Sequence, residues 1–416
     1  MEDKLEFRRG VLASMGATRE VVAELLAYNG NQFDTSKVSS QWPLPDEGFV
    51  ETWRRYSREV EAAGSSEVLS RHLVQLRFPV QAGISATEEY RAATRLGRDP
   101  SELALATGLA LTRPESIHLI IHPTAAGHIP VLVAEDRQDF IALVQAFTRR
   151  NEPRVVPYSM GACMVTGYNN WHRISLLHEL FLSTGGTEES WPLEFKKLTQ
   201  QKELYQDRFM ILSTGPYSGV AGSELGSDDE TWRRTSLVIR REHECAHYFT
   251  QRVFSSMRNN LLDEVIADYF GITAACGRFR ADWLLRFFGL ESYPRYRAGG
   301  RLEHYRGDPP LSDAAFLVLQ RLLFNASRHL QDFDWHHLPK SQHLHWGPVL
   351  FMTLAGLTIE EMAAHKADHT LAERFAAYTQ SLQGSAPAVA ISHDSRCADS
   401  LRSAPQSTRF QSGLSE

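Results

Sequence analysis

The stretch SLVIRREHECAHYFTQRVFSSMRNNLLDEVIADYFG, residues 236–271, decides how the rest of the chain is read. It contains His243-Glu244-Cys245-Ala246-His247. On a helix, His243 and His247 fall one turn apart on one face with Cβ atoms about 5–6 Å from each other, so both imidazoles reach one metal ion. Glu244 lies roughly 100° further round, off the metal but close to a water on it. The pattern is that of two ligands and a general base. Asn259-Asn260 after Ser255-Ser256 predicts a break with an N-cap. Leu261, Leu262, Val265, Ile266, Tyr269 and Phe270 then recur at helical spacing. On that second helix Glu264 and Asp268 share a face. A third ligand and an acceptor for a histidine N–H are what the pair of histidines still lacks.

His243, Glu244, His247, Glu264 and Asp268 resemble the gluzincin branch of the zinc metallopeptidases, in which a helix with HExxH is followed by a helix with ExxxD. The resemblance implies a zincin-like fold. It makes His243, His247 and Glu264 the zinc ligands, Glu244 the residue that activates water, and Asp268 the residue that orients a zinc-binding histidine. It also implies a donor steadying the oxyanion beyond Glu264, where this chain has Arg301, His304 and Tyr305. The chain departs from the family in carrying Arg240, Arg241 and Glu242 just before the first histidine, and in a shorter gap from His247 to Glu264. The segments EHECAHYFT and DEVIADYFG also resemble an uncharacterised bacterial family.

The chemistry expected is metal-assisted hydrolysis. Zn2+ on three protein ligands keeps a fourth position for water and lowers its pKa to about 7. Glu244 then takes the proton and passes it to the leaving amine. A peptide or an amide-containing small substrate is what the resemblance implies. The same two-histidine, one-carboxylate set also suits Fe2+ in a non-haem oxygenase, and a non-catalytic, metal-stabilised binding protein is a third reading.

At 416 residues the chain is long enough for one large domain or two. A formal charge of −6 and the lack of a long basic run argue against nucleic acid as a partner. The charged start MEDKLEFRRG is unlike a secretory signal, and no apolar run reaches the roughly 18 residues of a membrane helix. A cytoplasmic protein with no membrane partner is expected, of unknown oligomeric state. Cys163, Cys245, Cys276 and Cys397 have no metal or redox spacing. Cys245 is expected to pack away from the ion.

The fold class expected is α+β, with a small mixed sheet and helices before the metal site and a mainly helical half after it. Residues 1–100 form a helical region packed on the core, 101–277 the catalytic core, 278–383 a helical subdomain, and 384–416 a tail too poor in large apolar residues to order itself. Residues 5–28 and 49–76 show helical spacing, the second broken near Gly64. The runs 117–121 and 129–133 predict a strand pair, and 136–149 an amphipathic helix. His118, His122 and His128 around the connection are expected to be hydrogen-bonded or solvated rather than a second metal site. The segment 156–173 is rich in Gly, Asn and Ser and reads as a structured loop, with Tyr168, Asn169, Asn170 and Arg173 unassigned. Residues 208–213 predict a strand, either the sheet edge that the zincin resemblance implies for pairing with an extended substrate or an interior strand with no ligand role. The histidine-dense 335–346 lacks a carboxylate partner at a known spacing and reads as a loop. Thr358 heads a capping box with Glu361.

Overall fold

Two apolar runs of alternating side chains build the sheet. In the computed structural model, described over residues 2–35, 41–256, 259–338 and 347–383, β1 (Ile117–His122) and β2 (Ile129–Ala134) pair antiparallel from Ile117↔Ala134 to His122↔Ile129. β4 (Gln206–Ser213) runs parallel to β2, and β3 (Ala162–Asn169) antiparallel to β4, giving the order β1-β2-β4-β3. The expected tail at 384–416, the pair His343 and His345, and Cys397 lie outside the described residues.

Period-two alternation divides the side chains of the two inner strands between two cores. Leu132, Ala134, Phe209 and Ile211 join Trp53, Tyr56 and Phe140 on one face. Val131, Val133, Met210 and Leu212 join Ile239, Ala246, Phe249, Val265 and Ile266 on the other. The second core continues into the helices of the C-terminal half through Leu319, Leu322, Phe333 and Leu354. The architecture is α+β, and the strand 208–213 is interior rather than an edge. With β2 on one side and β3 on the other, its backbone is fully engaged. Among the described residues the edge strand beside it is β3. The segment 156–173 is accordingly not a loop, since it contains β3 and the start of the helix Trp171–Ser183. Its glycine and asparagine content hid the strand: Gly167, at φ +70°, sits where the register shifts between Thr166 and Tyr168.

The residues left unassigned in that segment serve the fold. Asn170 caps the helix Trp171–Ser183 and donates to Asp207 Oδ2 (2.6 Å). Arg173 meets the other oxygen of Asp207 at 2.7 Å, and Trp53 Nε1 donates to Oδ2 at 2.8 Å. One buried carboxylate thus fastens the start of β4 to two helices. Tyr168 is buried among aromatic rings, within 5.5 Å of Phe147 and 5.7 Å of Phe209.

Helix punctuation follows the residues. The run 5–28 is two helices, Glu2–Ser14 and Arg19–Tyr28, parted at Gly16 (φ +80°) and restarted by Thr18, whose side chain accepts from Val21 N–H. The pair packs against the C-terminal half, where Arg8 and Asn29 both reach the buried carboxylate of Glu360 (3.2 and 2.9 Å). The capping box forms as expected, with Thr358 N–H donating to Glu361 at 2.8 Å and Glu361 N–H to the Thr358 hydroxyl at 3.3 Å. Among the described residues no helix is long and apolar enough to cross a membrane.

Candidate metal centre

The HExxH segment lies just past the middle of a long helix, Asp229–Phe254, hereafter the motif helix. Asp228 caps its start by accepting from Thr231 N–H at 2.8 Å. Ser255, at φ +56°, stops it, and Asn260 at φ +50° launches the next helix, Asn260–Cys276, the carboxylate helix. Left-handed residues thus stand at both ends of the short connection, at Ser255 and Asn260. Asn259 stands at the N-cap position but uses its side chain elsewhere, donating to Asn31 (2.8 Å) and accepting from Gln32 N–H (3.1 Å).

The two helices cross closely at Gly271. A Cβ there would lie 2.6 Å from the carbonyl oxygen of Ile239. Gly271→Ala is therefore expected to force the helices apart, costing about 1–3 kcal/mol as overpacking and loosening the donor spacing above the crossing. Urea unfolding and zinc titration of the folded variant check this. If zinc affinity is unchanged, the crossing does not govern the centre.

His243 and His247 are 7% and 6% exposed, with ring planes at 82° and centroids 4.7 Å apart. Their Nε2 atoms face each other at 3.1 Å. Glu264 completes a triangle, Oε2 being 3.6 Å from His243 Nε2 and Oε1 3.5 Å from His247 Nε2. The Nδ1 atom of each ring is held by a carboxylate. His243 Nδ1–H donates to Asp268 Oδ1 (2.8 Å), and His247 Nδ1–H to Asp263 Oδ2 (2.9 Å). An imidazole donating from Nδ1 presents a lone pair at Nε2. Two lone pairs and a carboxylate facing one point form a donor set that a divalent cation satisfies, and the carboxylates behind the rings are the outer partners metal-bound histidines use.

Electrostatics favour a cation there. Glu244, Asp263, Glu264 and Asp268 stand around the two rings, with the Arg301 guanidinium beside Asp268 and Glu264. Burial works against a charged His247, yet Asp263, Glu264 and Glu244 outweigh it and raise its pKa to about 10. With no ion bound, a second ring proton sits on His247 at neutral pH, and a divalent ion must displace it to reach the Nε2 lone pair; the carboxylates that hold the proton favour the ion in its place. Burial also opposes ionisation of Asp268, but Arg301, His243 and Tyr217 bring it down to about 2, so it is an acceptor at neutral pH.

The sequence reading missed two parts of this arrangement. Asp263, one residue before Glu264, turns back to His247 and also accepts from the Thr250 hydroxyl at 3.2 Å. Tyr217 donates to Asp268 Oδ1 at 2.6 Å, and its oxygen lies 2.9 Å from His243 Nδ1. Asp263 could have been suspected from its place in the turn facing His247. Nothing in the turn 214–219 marks Tyr217.

Arg301 stands behind Asp268, in contact with Oδ2, and donates to the Tyr217 oxygen (3.1 Å) and Ser218 Oγ (3.0 Å). Tyr305 donates to Glu264 Oε2 at 2.6 Å. Burial, with Glu264 adding to it, raises its phenol, which stays a donor. His304 is exposed on the short 3-10 turn Arg301–Tyr305, and among the described residues no hydrogen bond ties it to the centre. Glu244 is half-buried, and among the described residues its carboxylate makes no hydrogen bond or ion pair. Its charge does reach β3, where burial first and Glu244 second push the Cys163 thiol up to about 11.

The charges before the motif are used in packing. Arg240 is 4% exposed and donates to the carbonyls of Ser213 (2.7 Å), Gly215 (3.0 Å) and Pro216 (3.3 Å), so it fastens the turn bearing Tyr217 to the motif helix. Glu242 meets Arg241 (2.9 Å) and His122 Nε2 (3.0 Å). Cys245 is buried with His122 and Glu242, on a side of the helix other than that of the histidine pair. His118 and His128 are bonded to different acids, Glu135 (3.1 Å) and Asp46 (2.9 Å), so the three histidines around the β1–β2 connection do not converge.

Fold and centre define an α+β protein with a buried two-histidine, one-carboxylate constellation carried on consecutive helices. The chain belongs to a family of unknown function, DUF7005, whose model matches residues 10–366. No curated protein and no solved structure matches it.

Proposed function

We propose that the protein is a zinc-dependent hydrolase of zincin type, a metallopeptidase that cleaves a peptide or amide bond. One observation carries this reading: both Nε2 atoms and the Glu264 carboxylate face one point while both Nδ1 atoms are engaged by Asp268 and Asp263. When bound there, zinc supplies Lewis acidity and lowers the pKa of a water in its open position to about 7.

The chain's own groups do the rest. Glu244, free of a protein partner among the described residues, accepts the water's proton at its carboxylate and delivers it to the leaving nitrogen. Asp268 and Asp263 keep the imidazole protons on Nδ1. Tyr305 holds Glu264 through its single O–H; of Arg301, His304 and Tyr305 it is the one bonded to a proposed ligand, and its proton must leave Glu264 to be donated to the substrate oxygen. The outer edge of β3, close to Glu244 through Cys163, offers the backbone groups on which an extended peptide can add as a strand.

Metal analysis joined to an activity screen tests the reading. The protein is expected to retain zinc rather than iron and to cleave peptides from a mixed library without oxygen. Retention of iron together with oxygen-dependent turnover would replace hydrolysis by oxygenase chemistry.

A further inference from the structure

A second pair of imidazoles converges on a carboxylate at the far end of the helical half. The helix Asp313–His337 ends on His337, and the first turn of the helix Ala367–Gln383 carries Asp368 and His369. His337 Nε2 and His369 Nε2 stand 3.7 and 3.8 Å from the same oxygen, Asp368 Oδ2, with the rings 5.5 Å apart and inclined at 67°. All three donor atoms lie within 4.8 Å of one another. We propose that His337, Asp368 and His369 form a second divalent transition-metal site, of zinc type, that clips these two helices together.

The spacing is the first argument. Both N···O separations are too long for hydrogen bonds, so no direct hydrogen bond explains why two rings point at one oxygen. Bonds of about 2.0–2.2 Å to a tetrahedral zinc place neighbouring donors about 3.3–3.6 Å apart, and the buried centre has its imidazoles 3.5 and 3.6 Å from its carboxylate. The two nitrogen-to-oxygen separations of the second group, 3.7 and 3.8 Å, reach that spacing after a shift of a few tenths of an ångström, and the two rings close on each other from within 4.8 Å.

Donor chemistry and placement agree. Two imidazoles and one carboxylate suit zinc better than calcium or magnesium. A cation at the C-terminus of Asp313–His337 complements the carbonyl end of that helix, and Asp368 complements the N-terminus of the other. The helices already touch through Phe333 and Phe375, with ring centroids 6.1 Å apart and Phe333 also stacked on His337. An ion at their ends would close that contact.

Exposure sets the site apart from the buried one. The side chains of His337, Asp368 and His369 are 27%, 20% and 64% exposed, against 9% and 8% for His243 and His247. The ion therefore exchanges readily and is removed by mild chelation that leaves the buried centre loaded.

Zinc titration of the metal-stripped full-length protein tests the site. His337→Ala and His369→Ala are each expected to lower the zinc bound per chain by one, and His243→Ala to remove a different ion. In the His243→Ala background, zinc should still raise the unfolding temperature, and adding His337→Ala should erase that rise. Asp368→Asn, which keeps the side chain's shape, guards against misfolding, with circular dichroism as the check. If folded His337→Ala and His369→Ala bind as much zinc as the unaltered protein, there is no second site. The count is made on residues outside the buried centre, so its outcome is separable from whether that centre is hydrolytic.

Discussion

Replacing Glu244 by Gln is expected to lower peptide turnover by about 10²- to 10⁴-fold, the range that a positioned general base contributes, while zinc content stays at the unaltered level. The reasoning is positional. His243 and His247 meet Glu264 and not Glu244, so an amide at position 244 removes a proton acceptor without removing a ligand. It also removes no hydrogen bond or ion pair made by Glu244 within the described residues, so stability should change little. Turnover on the peptides found by the screen, measured beside zinc content, separates the alternatives. Turnover that survives with zinc bound would mean that another group takes the proton. Loss of zinc would mean that Glu244 supports the ion itself.

Arg301→Met is expected to cost about 3–5 kcal/mol of stability, because it strands a buried charge, and to weaken zinc binding about 10- to 100-fold. Asp268 is fully buried, and its charge is matched by the guanidinium on Oδ2, while Oδ1 takes the protons of Tyr217 and His243. Without Arg301, Asp268 is pressed to protonate, and a protonated Asp268 no longer fixes the His243 tautomer. The sign with pH follows. A folded value of about 2 against the ordinary 3.8 stabilises the fold above pH 3.8, and the contribution fades as pH falls through about 2. In Arg301→Met that fading should begin at higher pH. Chemical unfolding from pH 2 to 7, with metal removed, reads the shift. Pairing Arg301→Met with Asp268→Asn should restore much of the stability but not the zinc affinity. If the double variant is no more stable than Arg301→Met alone, the guanidinium does not act through Asp268.

Tyr217 and Arg240 extend this logic to the turn 214–219. Arg240 holds the carbonyl of Ser213 at the end of β4 and those of Gly215 and Pro216 in that turn, and the turn delivers the Tyr217 hydroxyl to Asp268. A charged residue just ahead of the motif, which looked out of place beside the gluzincin pattern, thus works on the centre through backbone carbonyls. Its chemistry was visible in the sequence, but its target was not, because the three acceptors are main-chain oxygens that every residue possesses.

What could be read from residue order was whatever repeats within one element. The four-residue step puts His243 and His247 on one helical face, and the same step puts Glu264 and Asp268 on another, whatever surrounds them. Short apolar runs likewise mark β1 and β2, and Thr358 with Glu361 marks a capped start. Relations between elements depended on how the backbones pass one another. The approach at Gly271 and Ile239 brings Glu264 to both rings and gives Asp263 to His247. Pairing with β2 and β3 places β4 inside the sheet, and the meeting of two distant helix ends puts Asp368 between His337 and His369. Periodicity is a local property of hydrogen-bonded backbone, whereas these contacts arise where separate elements pack and no fixed spacing along the chain encodes them.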